Sequence, residues 1–181
     1  MKNYSLTWLP PVLRAAGLEV IEQPGWQTRG HGDMDNVLGV ICHHTAEAIS
    51  ASVVPNLKTL TDGRPGLAGP LCNLGLDQDG KFYMVAAGLA WHAGVGRWKG
   101  ITGGNRHFIG VEAKNNGIGE HWPDIQKIAY AKGSAAMALH CHFKSNMVIG
   151  HKEWAPKRKI DPSFDMVEFR KMVDKFMQEL R

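Results

Sequence analysis

The sequence predicts an α/β fold: a single domain with a central mixed β-sheet flanked by helices. Two long helical patterns are interspersed with short apolar runs of strand length, which favours a sheet covered by helices. A strand, an Asp-Gly turn and a second strand within 71–86 predict an antiparallel hairpin in that sheet. With 181 residues and 44% hydrophobic content, the chain is long enough to bury one core.

A short helix and a buried strand are the clearest elements in the first part of the chain. Pro10 and Pro11 suit the first turn of a helix, and Gly17 suits its end. The apolar run at 37–43 predicts a central strand that ends at His43. In order, the patterns predict a helix at 9–16, a strand at 18–21, a loop at 23–36, a strand at 37–43, a helix at 46–60 and a loop at 62–70.

Two longer helices distinguish the second part. The helix at 123–143 has Ile125 and Ile128 among apolar residues at helical spacing, and it contains Gly133, which costs about 1 kcal/mol relative to alanine. The stretch 150–162 contains two prolines, which fix φ and lack a backbone donor, so we expect a loop there. In order, we predict strands at 71–76 and 81–86, a loop at 87–106, a strand at 108–113, the helix at 123–143, a strand at 147–149 and an amphipathic helix at 166–180.

Composition and charge exclude several classes of protein. The charged fraction of 21% is ordinary and argues against disorder. The net charge of +4 is scattered, and no aromatic RNA-binding signature is present, so we expect no nucleic-acid partner. The N-terminus lacks a continuous apolar region, and no run approaches about eighteen apolar residues. We therefore expect neither a signal peptide nor membrane insertion.

The cysteines indicate a reducing compartment. Cys42, Cys72 and Cys141 are widely spread and have no CxxC spacing, which argues against a disulfide framework. A cysteine hydrolase built on Cys42 or Cys72 is one functional alternative. Cys42 lies inside an apolar strand, however, where a buried and inert thiol is expected.

Three side chains far apart in the sequence could form a zinc site. Catalytic zinc takes three nitrogen, oxygen or sulfur ligands and keeps a fourth position open. His43 at a strand end, with His151 and Asp161 at the two ends of the proline-containing stretch, would supply two nitrogens and one oxygen. Spacing alone leaves the assignment open, because nine histidines allow many combinations and no HExxH motif is present. A hydrogen-bonded or surface role is the alternative for each histidine.

Four motifs occur in one order along the chain. They are VICHHTA at 40–46, WHAG at 91–94, IGVE at 109–112, and GHKE at 150–153 followed by RKIDP at 158–162. Together they resemble the zinc-dependent N-acetylmuramoyl-L-alanine amidases of the amidase-2, or peptidoglycan-recognition-protein-like, family, and within it the phage endolysin amidases. The resemblance runs from about residue 39 to residue 161, with the core motifs inside 37–163.

The resemblance implies a role for each matching residue. His43, His151 and Asp161 would bind one Zn²⁺ per chain, Glu112 would act as the general base, and Lys159 would stabilise the oxyanion. Residues in or beside the motifs would contact the substrate, although His92 could instead brace the pocket. The substrate-binding set is His92, Trp91, Thr45 and Trp154.

The sequence departs from the family pattern at two places. Some phage amidases have a catalytic tyrosine at the start of the strand before the hairpin, where this chain has Cys72 or Asn73. This difference gives Glu112 the larger share of the mechanism. The late motif usually continues Asp-Pro-Gly, whereas here Ser163 follows Pro162. That change should alter the turn after Asp161 more than the ligand itself.

The implied function is zinc-dependent hydrolysis of the amide between N-acetylmuramic acid and L-alanine in bacterial peptidoglycan, as a phage or prophage endolysin. We expect 1–181 to be a single catalytic domain without a separate cell-wall-binding domain, acting as a monomer. An endolysin of this kind would stay in the host cytoplasm until its release to the wall. The alternatives are a cytosolic amidase that recycles muropeptides and a non-catalytic peptidoglycan-binding module.

Overall fold

A six-stranded mixed sheet forms the centre of the computed structural model, which describes residues 2–50 and 52–181. Its strand order is β1-β6-β5-β7-β2-β8, and every neighbouring pair is parallel except β5 and β6. A separate two-stranded ribbon consists of β3 and β4. The strands are β1 Val20–Glu22, β2 Gly39–His44, β3 Gly63–Arg64, β4 Leu67–Ala68, β5 Leu74–Leu76, β6 Phe82–Met84, β7 Phe108–Ala113 and β8 Val148–Gly150.

Helices cover the sheet, and the two longest pack against each other. The α-helices are α1 Leu9–Ala15, α2 Leu57–Asp62, α3 Gly104–His107, α4 Asp124–Cys141, α5 His151–Trp154 and α6 Met166–Glu179. Short 3₁₀ turns lie at Ser5–Trp8, Trp26–Thr28 and Ser145–Met147. No helix in the described ranges is both long enough and apolar enough to cross a membrane.

The central parallel strands bring the predicted functional residues to one edge of the sheet. All six residues of β2 are buried, as expected for a strand with both faces covered. In the register of the sheet, His43 on β2 lies opposite Glu112 on β7. On the other side of β2, Cys42 lies opposite Gly150, so the next residue, His151, follows beside His43. Ligand sites of open parallel sheets are commonly found at this carboxyl edge.

Tyr130 fastens the main helix to that edge. Its hydroxyl accepts a hydrogen bond from the His43 backbone N–H at 2.9 Å and donates to the Val111 carbonyl at 2.7 Å. The ring is fully buried and packs edge-on against Phe169 of α6. Through the hydrogen bonds of this one buried hydroxyl group, helix α4 therefore supports the ends of β2 and β7.

Most predicted elements are confirmed. The hairpin, the central strands and both long helices lie where the patterns place them. The helix predicted at 46–60 is wrong over most of its length, since only 57–62 is helical. Pro55 precedes that helix, and the Asn56 side chain accepts a hydrogen bond from the Thr59 N–H at 3.0 Å, which fixes its start. Ala51 lies outside the described residues.

Three local expectations are corrected. The predicted loop at 62–70 contains the β3–β4 ribbon. The stretch 150–162 begins with the helical turn α5, because its two prolines lie after that turn and Glu153 accepts a hydrogen bond from the Gly150 N–H at 2.9 Å. Ile125 and Ile128 are exposed at 58% and 46%, since α4 turns its small residues and Tyr130 inward instead.

The substitution Gly133→Ala tests how closely α4 approaches the sheet. A Cβ atom at this buried position would lie 2.7 Å from Cζ of Phe82. We expect overpacking to lower the free energy of unfolding by about 1–3 kcal/mol, although alanine is intrinsically the better helix former by about 1 kcal/mol. Urea unfolding measures the change. Asp174→Ala on the exposed face of α6 is the control, with a change within about 0.5 kcal/mol. A more stable Gly133→Ala protein would contradict the packing.

Candidate metal centre and substrate cavity

His43, His151 and Asp161 converge at the carboxyl edge of the sheet. One nitrogen from each histidine and one Asp161 oxygen all lie within 4.8 Å of one another. Asp161 Oδ2 is 3.1 Å from Nδ1 of His43 and 3.1 Å from Nδ1 of His151. The three residues are 1%, 2% and 8% exposed. The structure therefore brings together the three residues that the sequence predicts as metal ligands.

Backbone carbonyls determine which ring nitrogens carry hydrogen. A carbonyl oxygen only accepts, so His151 Nε2 must donate to the Ala93 oxygen at 2.9 Å. By the same argument His92 Nε2 donates to the Phe108 oxygen at 3.1 Å. Burial lowers the pKa of His92 well below its ordinary value, so the ring is neutral and its Nδ1 accepts. His43 Nε2, 3.0 Å away, must then be the donor to that nitrogen.

This chain of hydrogen bonds leaves lone pairs facing one another at the centre. Burial lowers the pKa of His43 to about 4, so its Nδ1 bears no hydrogen once Nε2 donates. Nδ1 of His151, whose Nε2 carries hydrogen, lies at the same 3.1 Å from the Asp161 carboxylate as Nδ1 of His43. The lone pairs of His43 Nδ1 and of the carboxylate repel one another at this distance unless a cation lies between them. Two imidazole nitrogens and one carboxylate oxygen match the preference of zinc, so the residues fit the metal that the sequence predicts.

His92 braces the centre. Because both of its ring nitrogens are engaged, by His43 and by the Phe108 carbonyl, neither is available to a substrate. The ring thus takes the bracing role, one of the two that the sequence left open, and a substrate contact by His92 at the cavity stays a prediction. Gly110 makes room for this ring, since a Cβ there would lie 2.5 Å from Cγ of His92. Asn105, which sequence analysis missed, fixes the backbone by accepting from His92 N and Ala93 N at 3.0 and 2.7 Å.

A cavity of about 740 Å³ opens over the three residues. Glu112 lies in its wall with Oε1 3.9 Å from His43 Nδ1. Its Oε2 is buried and has no hydrogen-bond partner among the described residues. Burial, followed by the charge of Asp161, raises the pKa of Glu112 to about 8. Lys159 borders the same cavity and is partly buried.

The predicted substrate-binding residues separate into two groups. Thr45 and Trp91 border the cavity, and Trp91 is 39% exposed with its ring stacked on His31 at a centroid distance of 4.5 Å. Trp154 is only 1% exposed. Its indole packs against Phe108, and its Nε1 donates to the Gly94 oxygen at 3.3 Å. The prediction that Trp154 offers a surface to the substrate is therefore wrong for the cavity over His43, His151 and Asp161, because its ring is part of the core.

The cysteines do not supply a nucleophile. Cys42 and Cys72 are completely buried. Burial raises the pKa of Cys42 to about 12 and raises that of Cys72 well above its ordinary value, which keeps both as thiols. This environment disfavours the cysteine-hydrolase alternative.

A buried lysine holds one wall of the cavity. Lys114, only 1% exposed, donates from Nζ to Glu47 Oε2 at 3.2 Å and to the Ala48 oxygen at 3.3 Å. Glu47 in turn accepts the Asn56 N–H at 2.8 Å, just before α2. Since α2 and the β3–β4 ribbon contribute Thr59, Leu60, Arg64 and Leu67 to the cavity, this relay positions the wall.

Comparisons with known proteins identify the family to which this chain belongs. Residues 33–164 match the sequence family described as N-acetylmuramoyl-L-alanine amidase. The N-acetylmuramoyl-L-alanine amidase AmiD of Escherichia coli (strain K12) is 28% identical over 163 residues, covering 79% of this chain and 56% of AmiD. The 1,6-anhydro-N-acetylmuramyl-L-alanine amidase AmpD of Citrobacter freundii is 35% identical over 86 residues, 46% of each chain. This chain thus spans about half the length of the curated relatives it matches.

Solved structures confirm the predicted fold class. The amidase LysC of Clostridium intestinale URNW has a TM-score of 0.67 at 16% identity, covering 86% of this chain and 97% of its own. AmiD from E. coli, in complex with the substrate anhydro-N-acetylmuramic acid-L-Ala-D-γ-Glu-L-Lys, has a TM-score of 0.62 at 23% identity. This match covers 84% of the present chain and 65% of AmiD. At these identities the likeness concerns the fold alone.

Metal binding can be tested without an assay of activity. We expect the wild-type chain to bind one zinc and its unfolding temperature to rise with zinc, because an ion that binds only the folded state stabilises it. Asp161→Asn and His151→Ala should each weaken zinc binding by at least about tenfold. Elemental analysis and thermal unfolding measure both effects. His107→Ala, a change outside the cluster, should behave as wild type; full zinc content in Asp161→Asn would refute the site.

The hydrogen bonds from Lys114 to Glu47 and Ala48 predict that Lys114→Met loosens the cavity wall locally. Loss of the ammonium leaves Glu47 and the Ala48 carbonyl without their shared donor, at a cost of about 1–3 kcal/mol in the free energy of unfolding. We expect faster proteolytic cleavage within 46–56, measured by mass analysis of the fragments. Lys58→Met removes an exposed pair with Asp62 and should change neither quantity measurably. Unchanged cleavage in Lys114→Met would show that the relay does not hold the wall.

Proposed function

We propose that this chain, which belongs to the N-acetylmuramoyl-L-alanine amidase family, hydrolyses the amide bond between N-acetylmuramic acid and L-alanine in bacterial peptidoglycan. The observation that carries the proposal is the convergence of His43, His151 and Asp161 beneath a cavity that also holds Glu112 and Lys159. Zinc at these three residues would polarise an amide carbonyl and make water more acidic at neutral pH. All of these residues come from one chain, so we expect a monomer to be active.

Glu112 is assigned as the general base and acid. Amide hydrolysis requires a group that takes a proton from the attacking water and returns it to the leaving nitrogen. The Glu112 carboxyl group borders the cavity beside His43, and one of its oxygens has no partner among the described residues. Asn73, near the position where some relatives have a tyrosine, is fully buried and is engaged with Ala86, Gly88 and Gly110. Glu112 therefore performs proton transfer without a tyrosine partner there.

Lys159 is assigned to the oxyanion of the tetrahedral intermediate. Its backbone N–H donates to the Ala155 oxygen at 2.9 Å, and its neighbour Arg158 donates to the Ala93 oxygen at 2.9 Å. These contacts fix the backbone of Lys159, which borders the cavity. A cation beside a developing oxyanion contributes on the order of 3 kcal/mol to transition-state stabilisation.

The substrate of AmiD suggests what the cavity accommodates. That compound contains D-γ-Glu, which is linked through its side chain and therefore keeps a free α-carboxylate. In the present chain Arg64 is exposed at the cavity wall and could pair with such a group. Trp91 offers the flat apolar surface that a sugar ring or peptide stem contacts.

The biological setting is proposed as wall lysis by a phage or prophage endolysin. A recycling amidase that acts on soluble muropeptides is the second candidate, favoured by the similarity to AmpD, whose name specifies 1,6-anhydro-N-acetylmuramyl-L-alanine. The presence of all three metal-binding side chains argues against a non-catalytic binding module. Turnover of intact sacculi separates the two enzymes, because only the endolysin would need to degrade them.

Mass analysis of digested substrate tests the reaction. We expect the zinc-loaded protein to release the peptide stem from a soluble muropeptide with a new L-alanine amino terminus. Glu112→Gln should keep its zinc and lose at least about a hundredfold in rate, because proton transfer is lost while the metal site remains. Binding of the muropeptide without any new amino terminus would replace the enzyme assignment with the binding module. An unchanged rate in Glu112→Gln would remove Glu112 from the mechanism.

A further inference from the structure

A second cleft lies beside the cavity over His43, His151 and Asp161. Its volume is about 580 Å³, and Arg158 lines both openings, so the two form adjoining parts of one surface. The chain reaches this cleft from two sides. It is lined by Val95, Gly96, Arg97, Thr102, Glu153, Trp154, Ala155, Pro156, Lys157 and Arg158.

The charges around this second cleft are unbalanced. Arg97, Lys157 and Arg158 are all exposed there. The one acidic residue in its lining is Glu153, whose two carboxylate oxygens accept from the Arg170 guanidinium at 2.8 and 2.9 Å. A bidentate pair of this kind neutralises the carboxylate. The second cleft therefore presents three cations with no free counter-charge in its lining.

The backbone around the second cleft is held in place. Arg97 N donates to the Trp154 oxygen at 3.0 Å. The Arg158 guanidinium donates to the carbonyls of Ala93 and Val95 at 2.9 and 2.8 Å, which fixes the position of its charge. Val95 is 90% exposed and Pro156 is exposed, so apolar surface lies between the cations. An anionic ligand with an apolar body matches both properties.

We propose that the second cleft binds a neighbouring, carboxylate-bearing peptide stem of the same peptidoglycan polymer whose first stem occupies the cavity. This inference rests on the proposed function, because it requires the polymer to reach the surface that Arg158 shares. A peptide stem has free carboxylates, which can pair with the cations of the second cleft. It also has apolar side chains, which can pack against the exposed apolar residues between those cations. The second cleft then adds affinity for polymeric substrate and none for a single soluble muropeptide.

The double substitution Arg97→Gln with Lys157→Gln tests the second cleft. Sacculi free of phosphodiester polymers and a soluble monomeric muropeptide serve as the two substrates. At low ionic strength we expect hydrolysis of sacculi to fall about threefold to tenfold, as two exposed charge pairs allow. The loss should disappear near 0.5 M salt, where exposed charges are screened beyond about 4 Å. The rate on the muropeptide should be unchanged.

Lys171→Gln with Lys175→Gln is the matched control, since it removes two exposed charges from α6, which lines neither opening. Wild-type rates on sacculi in the cleft variant would overturn the inference, as would an equal loss on both substrates or in the control. If the wild-type protein hydrolyses neither substrate, the proposed function itself fails. The cleft inference fails separately when the muropeptide is cleaved and the cleft variant matches wild type on sacculi.

Discussion

The hydrogen bonds from two imidazole rings to backbone carbonyls determine what this site can hold. The carbonyls of Ala93 and Phe108 accept from His151 and His92, and His92 passes the constraint to His43. In consequence the lone pair of His43 Nδ1 faces the Asp161 carboxylate, and Nδ1 of His151 lies at the same distance from it. Without those carbonyls the His43 ring could turn its hydrogen inward and satisfy the carboxylate by itself. The backbone thus favours a cation between His43 and Asp161.

The sheet explains why residues more than a hundred positions apart form one site. Parallel strands end at a common edge, and the register of β2 with its two neighbours brings His43 beside Glu112 and next to His151. Tyr130 then fixes this edge from beneath through its hydroxyl group. Of the proposed metal-binding and catalytic residues, Asp161 and Lys159 are carried by irregular chain, and hydrogen bonds from α5 and Arg158 hold that segment.

The strands and the residues of the metal centre could be predicted because both are marked by short sequence patterns. Apolar runs of strand length identified β2 and β7, and the ordered motifs identified His43, His151 and Asp161 together. The errors concern properties set by distant partners. The indole of Trp154 is buried because Gly104 has no side chain and lets the ring pack against the backbone there. No sequence pattern near residue 154 indicates this burial. In α4 the helical spacing of the isoleucines likewise predicted the wrong buried face. The face that packs inward consists mainly of small residues and Tyr130.

The two halves of the site have different origins in the chain. The metal-facing side chains come from β2, α5 and the segment after it, whereas the opposite wall comes from the chain between β2 and β5. Lys114 joins that wall to the end of β7 through its ion pair with Glu47, and backbone hydrogen bonds at Thr45, Ala46, Pro70 and Asn73 join it further. A homologous segment that offers its own carboxylate to Lys114 could be grafted into this position. Such a graft would change which substrate the cavity accepts. The hydrogen bonds among His43, His92 and His151 and their backbone partners would stay the same.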